Sequence, residues 1–144
     1  MKEYYVFLIR DEFVKLYSSK SSDLFYIFNR IYYMKEMDKM YGYNLFSQIS
    51  YFFNKDDVNE FLYNKYKDKI MYSYTNDEHI INNLFLNEIS ILKVKPSNIR
   101  IQTNTSSSSF LEDLKNYNKN LFVCNFKEQE FFFISDVKIC NKTL

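Results

Sequence analysis

Glycine is almost absent from this chain. One residue in 144, Gly42, is glycine. A phosphate-cradling P-loop, a dinucleotide fingerprint, a Gly-x-Ser-x-Gly elbow and a kinase Gly-rich loop all need two or more, so each is excluded. Histidine is also single, which rules out a two-histidine metal site. Tryptophan and alanine are missing, and proline occurs once. Two cysteines do not make a disulfide framework. Charge of one sign is lacking too. Lys+Arg is 19 against Asp+Glu 18, a formal charge of +1, without the basic excess of a bulk electrostatic DNA binder. No apolar run approaches the ~20 residues of a spanning helix. The run at residues 4–9 is too short for a signal peptide and lacks a small-residue cleavage site. The expectation is a cytoplasmic, reduced protein with no membrane contact and no cofactor.

What is present is apolar and aromatic. The hydrophobic fraction is 47% and the aromatic fraction 20%, enough for a packed core in a single domain. The wealth of Lys, Asn, Ile, Tyr and Phe reads as an AT-rich genome, so many of these rings are ordinary apolar positions. Residues 4–9 are β-branched and aromatic on both alternations, which predicts a central strand buried on both faces. Asp11 and Glu12 open a short helix, their carboxylates suiting its positive end. Ser22 or Asp23 caps a second helix to about Tyr33. A third is predicted over about 43–53, and a fourth, capped by Asp56 or Asp57, to about Lys67. Tyr72 and Tyr74 alternate as in a strand, and residues 76–79 read as the polar opening of a short helix. Strands follow at 88–94 and 98–103, joined at Lys95-Pro96-Ser97. Residues 105–109 are a polar loop. Ser109-Phe110-Leu111-Glu112 has capping-box form and opens a helix with Phe110, Leu111, Leu114 and Tyr117 on one side. Residues 121–126 and 131–137 close the chain as a hairpin. The reading is α+β: one domain, a five-stranded mixed sheet with packed helices, in the order β-ααα(α)-ββ-α-ββ.

Chemistry is sparse. His79 beside Asp77 and Glu78 has no nucleophile assignable to it and reads as a surface or capping residue. Asp56-Asp57 lacks the further ligands and turning glycine of a calcium loop. Cys124, in an apolar run, reads as a small buried hydrophobe, and Cys140 lies in a polar tail. Lys65, Lys67 and Lys69 interleave with Tyr63, Tyr66 and Tyr72. That pattern can follow a nucleic-acid strand, but every second residue of a helix does not share a face, so a solvated helix end is favoured. Two helices carry more. On the first, Leu16, Phe13, Tyr17 and Val14 cover an arc of about 160°, wider than one sheet contact needs. On the third, Leu45, Phe46, Ile49, Phe52 and Phe53 form a stripe, and Gln48 and Tyr51 lie off it on one flank. A rim tyrosine is the residue type that anchors interfaces.

The opening Tyr4-Tyr5-Val6-Phe7-Leu8-Ile9-Arg10-Asp11-Glu12-Phe13, with Tyr17 beyond it, resembles the start of the SirA family, the sporulation inhibitors of replication of endospore-forming bacteria. Gln48-Ile49-Ser50-Tyr51, residues 110–114, residues 121–126 and Val137-Lys138 agree in pattern. The resemblance implies a non-enzymatic protein with one SirA-like domain over residues 1–138; residues 139–144 read as a flexible tail. It implies binding to domain I of the replication initiator DnaA, which prevents new rounds of initiation. It places Phe13, Tyr17, Gln48 and Tyr51 on that partner, with no direct nucleic-acid contact. Two positions depart from the family: Asp136 stands where a proline is expected and Phe133 where a tryptophan is. The rival reading is a small nucleic-acid-binding regulatory module.

Overall fold

The computed structural model describes residues 1–137. Its organising element is β1 (Lys2–Ile9), whose side chains alternate between two cores. Tyr4 and Val6 face one cluster, Phe7 and Ile9 the other. The strand is therefore apolar at every buried position, as expected of one covered on both sides.

After β1 come α1 (Asp11–Tyr17), α2 (Ser21–Tyr32), a 3-10 turn (Glu36–Asp38), α3 (Lys39–Ile49), β2 (Ser50–Tyr51) and α4 (Lys55–Tyr66). The remainder is β3 (Tyr72–Thr75), β4 (Glu78–Asn83), β5 (Glu88–Val94), β6 (Ile99–Thr103), α5 (Ser109–Tyr117), β7 (Leu121–Asn125), β8 (Glu130–Phe133) and a 3-10 turn at Ile134–Asp136. The strands form one sheet in the order β3-β4-β5-β6-β1-β7-β8, with β2 pairing β1 off that path.

The α+β class holds, and two details of the expected sheet are corrected. It has eight strands rather than five, and every pairing is antiparallel rather than mixed. The strands beyond those five are β2, β4 and β3, the last at the Tyr72–Tyr74 alternation. The expected helix start at residues 76–79 is instead the turn of the β3–β4 hairpin. Thr75 pairs Glu78 across it, and Asn76 and Asp77 take φ of 53° and 62°. Two left-handed residues match the twist of a two-residue hairpin.

Several boundaries move. The third helix covers Lys39–Ile49 rather than 43–53, so Tyr51 sits on a strand and Phe52 is an exposed residue beyond the helix. The helix at 21–32 takes Lys20, not Ser22 or Asp23, at its N-cap. Asn54, rather than Asp56 or Asp57, caps α4, its Oδ1 accepting from the Asp57 N–H. Ser108, rather than Ser109, caps α5. Glu88, far away on β5, supplies the carboxylate of that cap: it accepts from the Ser109 N–H at 3.0 Å and the Ser109 hydroxyl at 2.6 Å. The last strand stops at Phe133, short of the expected 137. Cys140, Lys138 and the tail at 139–144 lie outside the described residues.

Candidate partner-binding surface

The four positions implicated by sequence fall at one end of β1, on the elements that leave it. α1 begins one residue after the strand, and none of its residues is buried. Phe13 and Tyr17, one helical turn apart, set their rings nearly parallel, with centroids 6.3 Å apart and planes at 13°. Both rest on the edge of the phenylalanine core without being buried in it, as does Val14. Leu16 is 55% exposed. The wide apolar arc read on α1 thus has an uncovered side.

Gln48 is exposed near the end of α3. Tyr51 follows on β2, paired with Leu8, and is 41% exposed. Its neighbour Ser50 is buried and donates its hydroxyl to the Leu8 carbonyl at 2.8 Å, which fixes this short strand. Gln48 and Tyr51 therefore belong to different elements, not to one helical flank as expected.

Arg10 joins the two groups. Its backbone N–H donates to the Ile49 carbonyl at 2.9 Å, and its Nε donates to the Ser47 carbonyl at 3.1 Å. Its guanidinium lies over the Tyr51 ring, 4.3 Å from the centroid. The Arg10 carbonyl accepts from the Phe13 and Val14 N–H groups, so Arg10 is also the N-cap of α1. A guanidinium over an aromatic face is attractive by roughly 0.5–1 kcal/mol at an exposed site. One residue thus orients α1, the end of α3 and the Tyr51 ring. Sequence reading passed over Arg10 as a site residue. Its partner is 41 positions away, and no local pattern announces a stacking pair at that distance. On the far side of α1, the Asn120 side-chain amide donates to Asp11.

The other sequence candidates resolve structurally. His79 is not at the surface: it is fully buried on β4. Asn59 Oδ1 lies 2.8 Å from Nε2, and the Tyr72 hydroxyl 2.7 Å from Nδ1. An amide oxygen can only accept, so Nε2 carries the proton and Nδ1 accepts from Tyr72. Burial lowers the histidine pKa to about 4 and raises that of Tyr72 to about 12. Both ring nitrogens are committed to holding α4 against the β3–β4 hairpin. In the Lys–Tyr segment Tyr63 is exposed, but other members are engaged within the fold. Tyr66 is buried, Lys65 pairs with Asp113 at 3.2 Å, and Lys69 lies over the Tyr66 ring at 5.1 Å. Cys124 is buried in the phenylalanine core, which pushes its thiol pKa up. Phe133 is buried there as well, and Asp136 is exposed on the closing 3-10 turn. Among the described residues no group of three or more His, Cys, Asp or Glu could hold a metal, and no helix is long and apolar enough to cross a membrane.

Residues 2–138 match the family model of the sporulation inhibitor of replication protein SirA. No curated protein matches the chain.

Proposed function

The chain belongs to the SirA family, inhibitors of replication in sporulation, and we propose that it acts by binding domain I of the initiator DnaA. It is a non-enzymatic inhibitor working in the cytoplasm. Phe13 and Tyr17 on α1, Gln48 on α3 and Tyr51 on β2 form the contact surface. The mechanism is occlusion: the aromatic surface covers domain I and blocks the contacts that domain makes with other proteins.

The observation that carries this reading is the held state of Tyr51. It is half-exposed, yet its ring is fixed by the Arg10 guanidinium and its backbone by pairing with Leu8. A side chain ordered before binding loses less rotamer freedom on docking, which favours affinity. Large aromatic anchors are also the residues that dominate interface energetics.

The test is calorimetric titration of the purified protein with DnaA domain I from the same organism, with duplex DNA as the parallel titrant. The expected result is saturable one-to-one binding to domain I and no heat with DNA. A folded protein silent toward domain I would overturn the proposal. A DNA signal that falls steeply with salt would install the nucleic-acid reading in its place.

A further inference from the structure

The phenylalanine-rich face is not filled to its margin. Between the end of α2, the first turns of α3 and the sheet lies a cavity of about 430 Å³. Small-molecule sites run from roughly 300 to 1,000 Å³. Aromatic rings line it. Phe7 and Phe28 stack with centroids 4.2 Å apart and planes at 10°, and Phe46 stands edge-on to both. Tyr32 packs on Phe126 at 4.4 Å. Met34 brings a thioether to the wall: a Cβ at Gly42 would come within 2.7 Å of its sulfur. Among the lining residues the sole Lys, Arg, Asp or Glu is Lys39.

From this lining we infer that the cavity is a binding site for a small aromatic carboxylate, its ring among the phenylalanines and its charge on Lys39 Nζ. Ring edges and faces offer the offset and edge-on contacts that a planar aromatic ligand uses, and the Met34 sulfur adds a polarizable one. The charge pattern selects the head group. No acid lines the cavity, so a cationic ligand meets no counter-charge, whereas an anion meets Lys39. Lys39 already pairs with Glu36 at 2.6 Å, one helical turn away. Both side chains are largely exposed, so that pair contributes little and yields readily to a second carboxylate. None of Phe13, Tyr17, Gln48 and Tyr51 lines the cavity, so this site stands or falls apart from the DnaA reading.

The chain has no tryptophan, so the emission of an indole ligand is read without background from indole in the protein. The probes are indole-3-acetate and its neutral counterpart indole-3-acetamide, titrated into the full chain. The acetate is expected to bind saturably and about tenfold more tightly than the amide. Lys39→Met, at an exposed position, should abolish that difference, and Glu36→Gln should widen it. With methyl-labelled methionine, the Met34 resonance should shift by ring current. The Met71 resonance should stay, because Met71 packs against the opposite core. Equal affinity for acetate and amide in the unaltered protein, no saturable change in emission, or an unmoved Met34 methyl would each overturn the inference.

Discussion

The two faces of the sheet are built from different materials. On one, α4 and α5 close over a core that is mostly Val, Leu and Ile, spread across β1, β4, β5, β6 and β7. On the other, α1, α2 and α3 cover β1, β7 and β8 with Phe7, Phe25, Phe28, Phe46, Phe122, Phe126 and Phe133. Branched aliphatic side chains interdigitate to crystal-like density. Rings are rigid plates, and gaps survive where plates meet at angles. The aliphatic face accordingly anchors the fold. The aromatic face holds the 430 Å³ cavity and the helix without a buried residue, with Phe13 and Tyr17 at its edge, whereas Tyr51 pairs with Leu8, which packs against the aliphatic core. The two sides of one strand, β1, thus differ in how closely they are filled.

The sharpest way to break this comparison is to remove volume from each side. Leu92 on β5 is fully buried in the aliphatic core. Leu92→Ala is expected to lower unfolding free energy by about 4 kcal/mol, the loss of transfer energy plus a cavity that cannot collapse. Phe46→Leu, beside a cavity that already exists, should cost only about 1 kcal/mol, since its neighbours have room to adjust. Urea unfolding of the two variants measures both. Equal costs would mean that the faces are packed alike.

A second effect of nearly that size is confined to the α4 side. His79 is neutral in the folded protein, with a pKa near 4 against 6.5 in the unfolded chain. Its contribution is complete above pH 6.5 and is lost as pH falls toward 4, because the unfolded state takes up the proton first. A shift of this size is worth about 3 kcal/mol. Unfolding free energies measured at neutral pH and near pH 4 should fall more steeply in the native sequence than in His79→Gln. Parallel pH profiles would show that the buried imidazole is not the titrating group.

The elements legible in the sequence are those where burial and periodicity coincide. β1 was readable because both alternations are apolar, the 88–103 hairpin because Ile99 and Ile101 alternate with polar residues, and α5 from its apolar stripe. What stayed hidden shares a cause with the missing glycines. Hairpin turns need left-handed residues, and here Asn76, Asp77, Asn87 and Gln129 supply them. The alternation of Tyr72 and Tyr74 marks β3, but Asn-Asp followed by Glu and His looks like a helix start, which hides β4 and sets His79 at the surface. β2 is two residues long and exists only through its pairing with Leu8 and Ile9, which no local pattern encodes. Of the candidate surface, the uncovered side of α1 is legible in its wide apolar arc, whereas the bridge through Arg10 is not, because it is a tertiary contact.

The next test separates recognition from stability. Tyr51→Ala is expected to weaken binding to DnaA domain I by about thirtyfold, roughly 2 kcal/mol, with the melting temperature nearly unchanged. Arg10→Lys keeps the charge but loses the planar stack and should cost less. Tyr17→Ala, removing a ring that only touches the edge of its core, should behave like Tyr51→Ala. A variant that unfolds instead would place its tyrosine in the core.

The smallest expected effect bears on why the aromatic face stays open at all. Gly42 is the one glycine of the chain, buried within α3, and its φ is not positive, so no backbone geometry demands it. In a helix interior Gly→Ala gains about 1 kcal/mol from propensity alone. The new Cβ would meet the Met34 sulfur at 2.7 Å, but that atom lies near the end of a flexible side chain and can swing away. Gly42→Ala should therefore change stability by between zero and about 1 kcal/mol in the stabilising direction, read from its denaturation midpoint. Its effect on the cavity should be larger than its effect on the fold, because Met34 has only the cavity to turn into or the solvent to turn toward. If the variant is instead destabilised by more than about 1 kcal/mol, Met34 is locked in place and α2 and α3 are packed as tightly as the aliphatic side, which would remove the contrast between the two faces at the point where it is most pronounced.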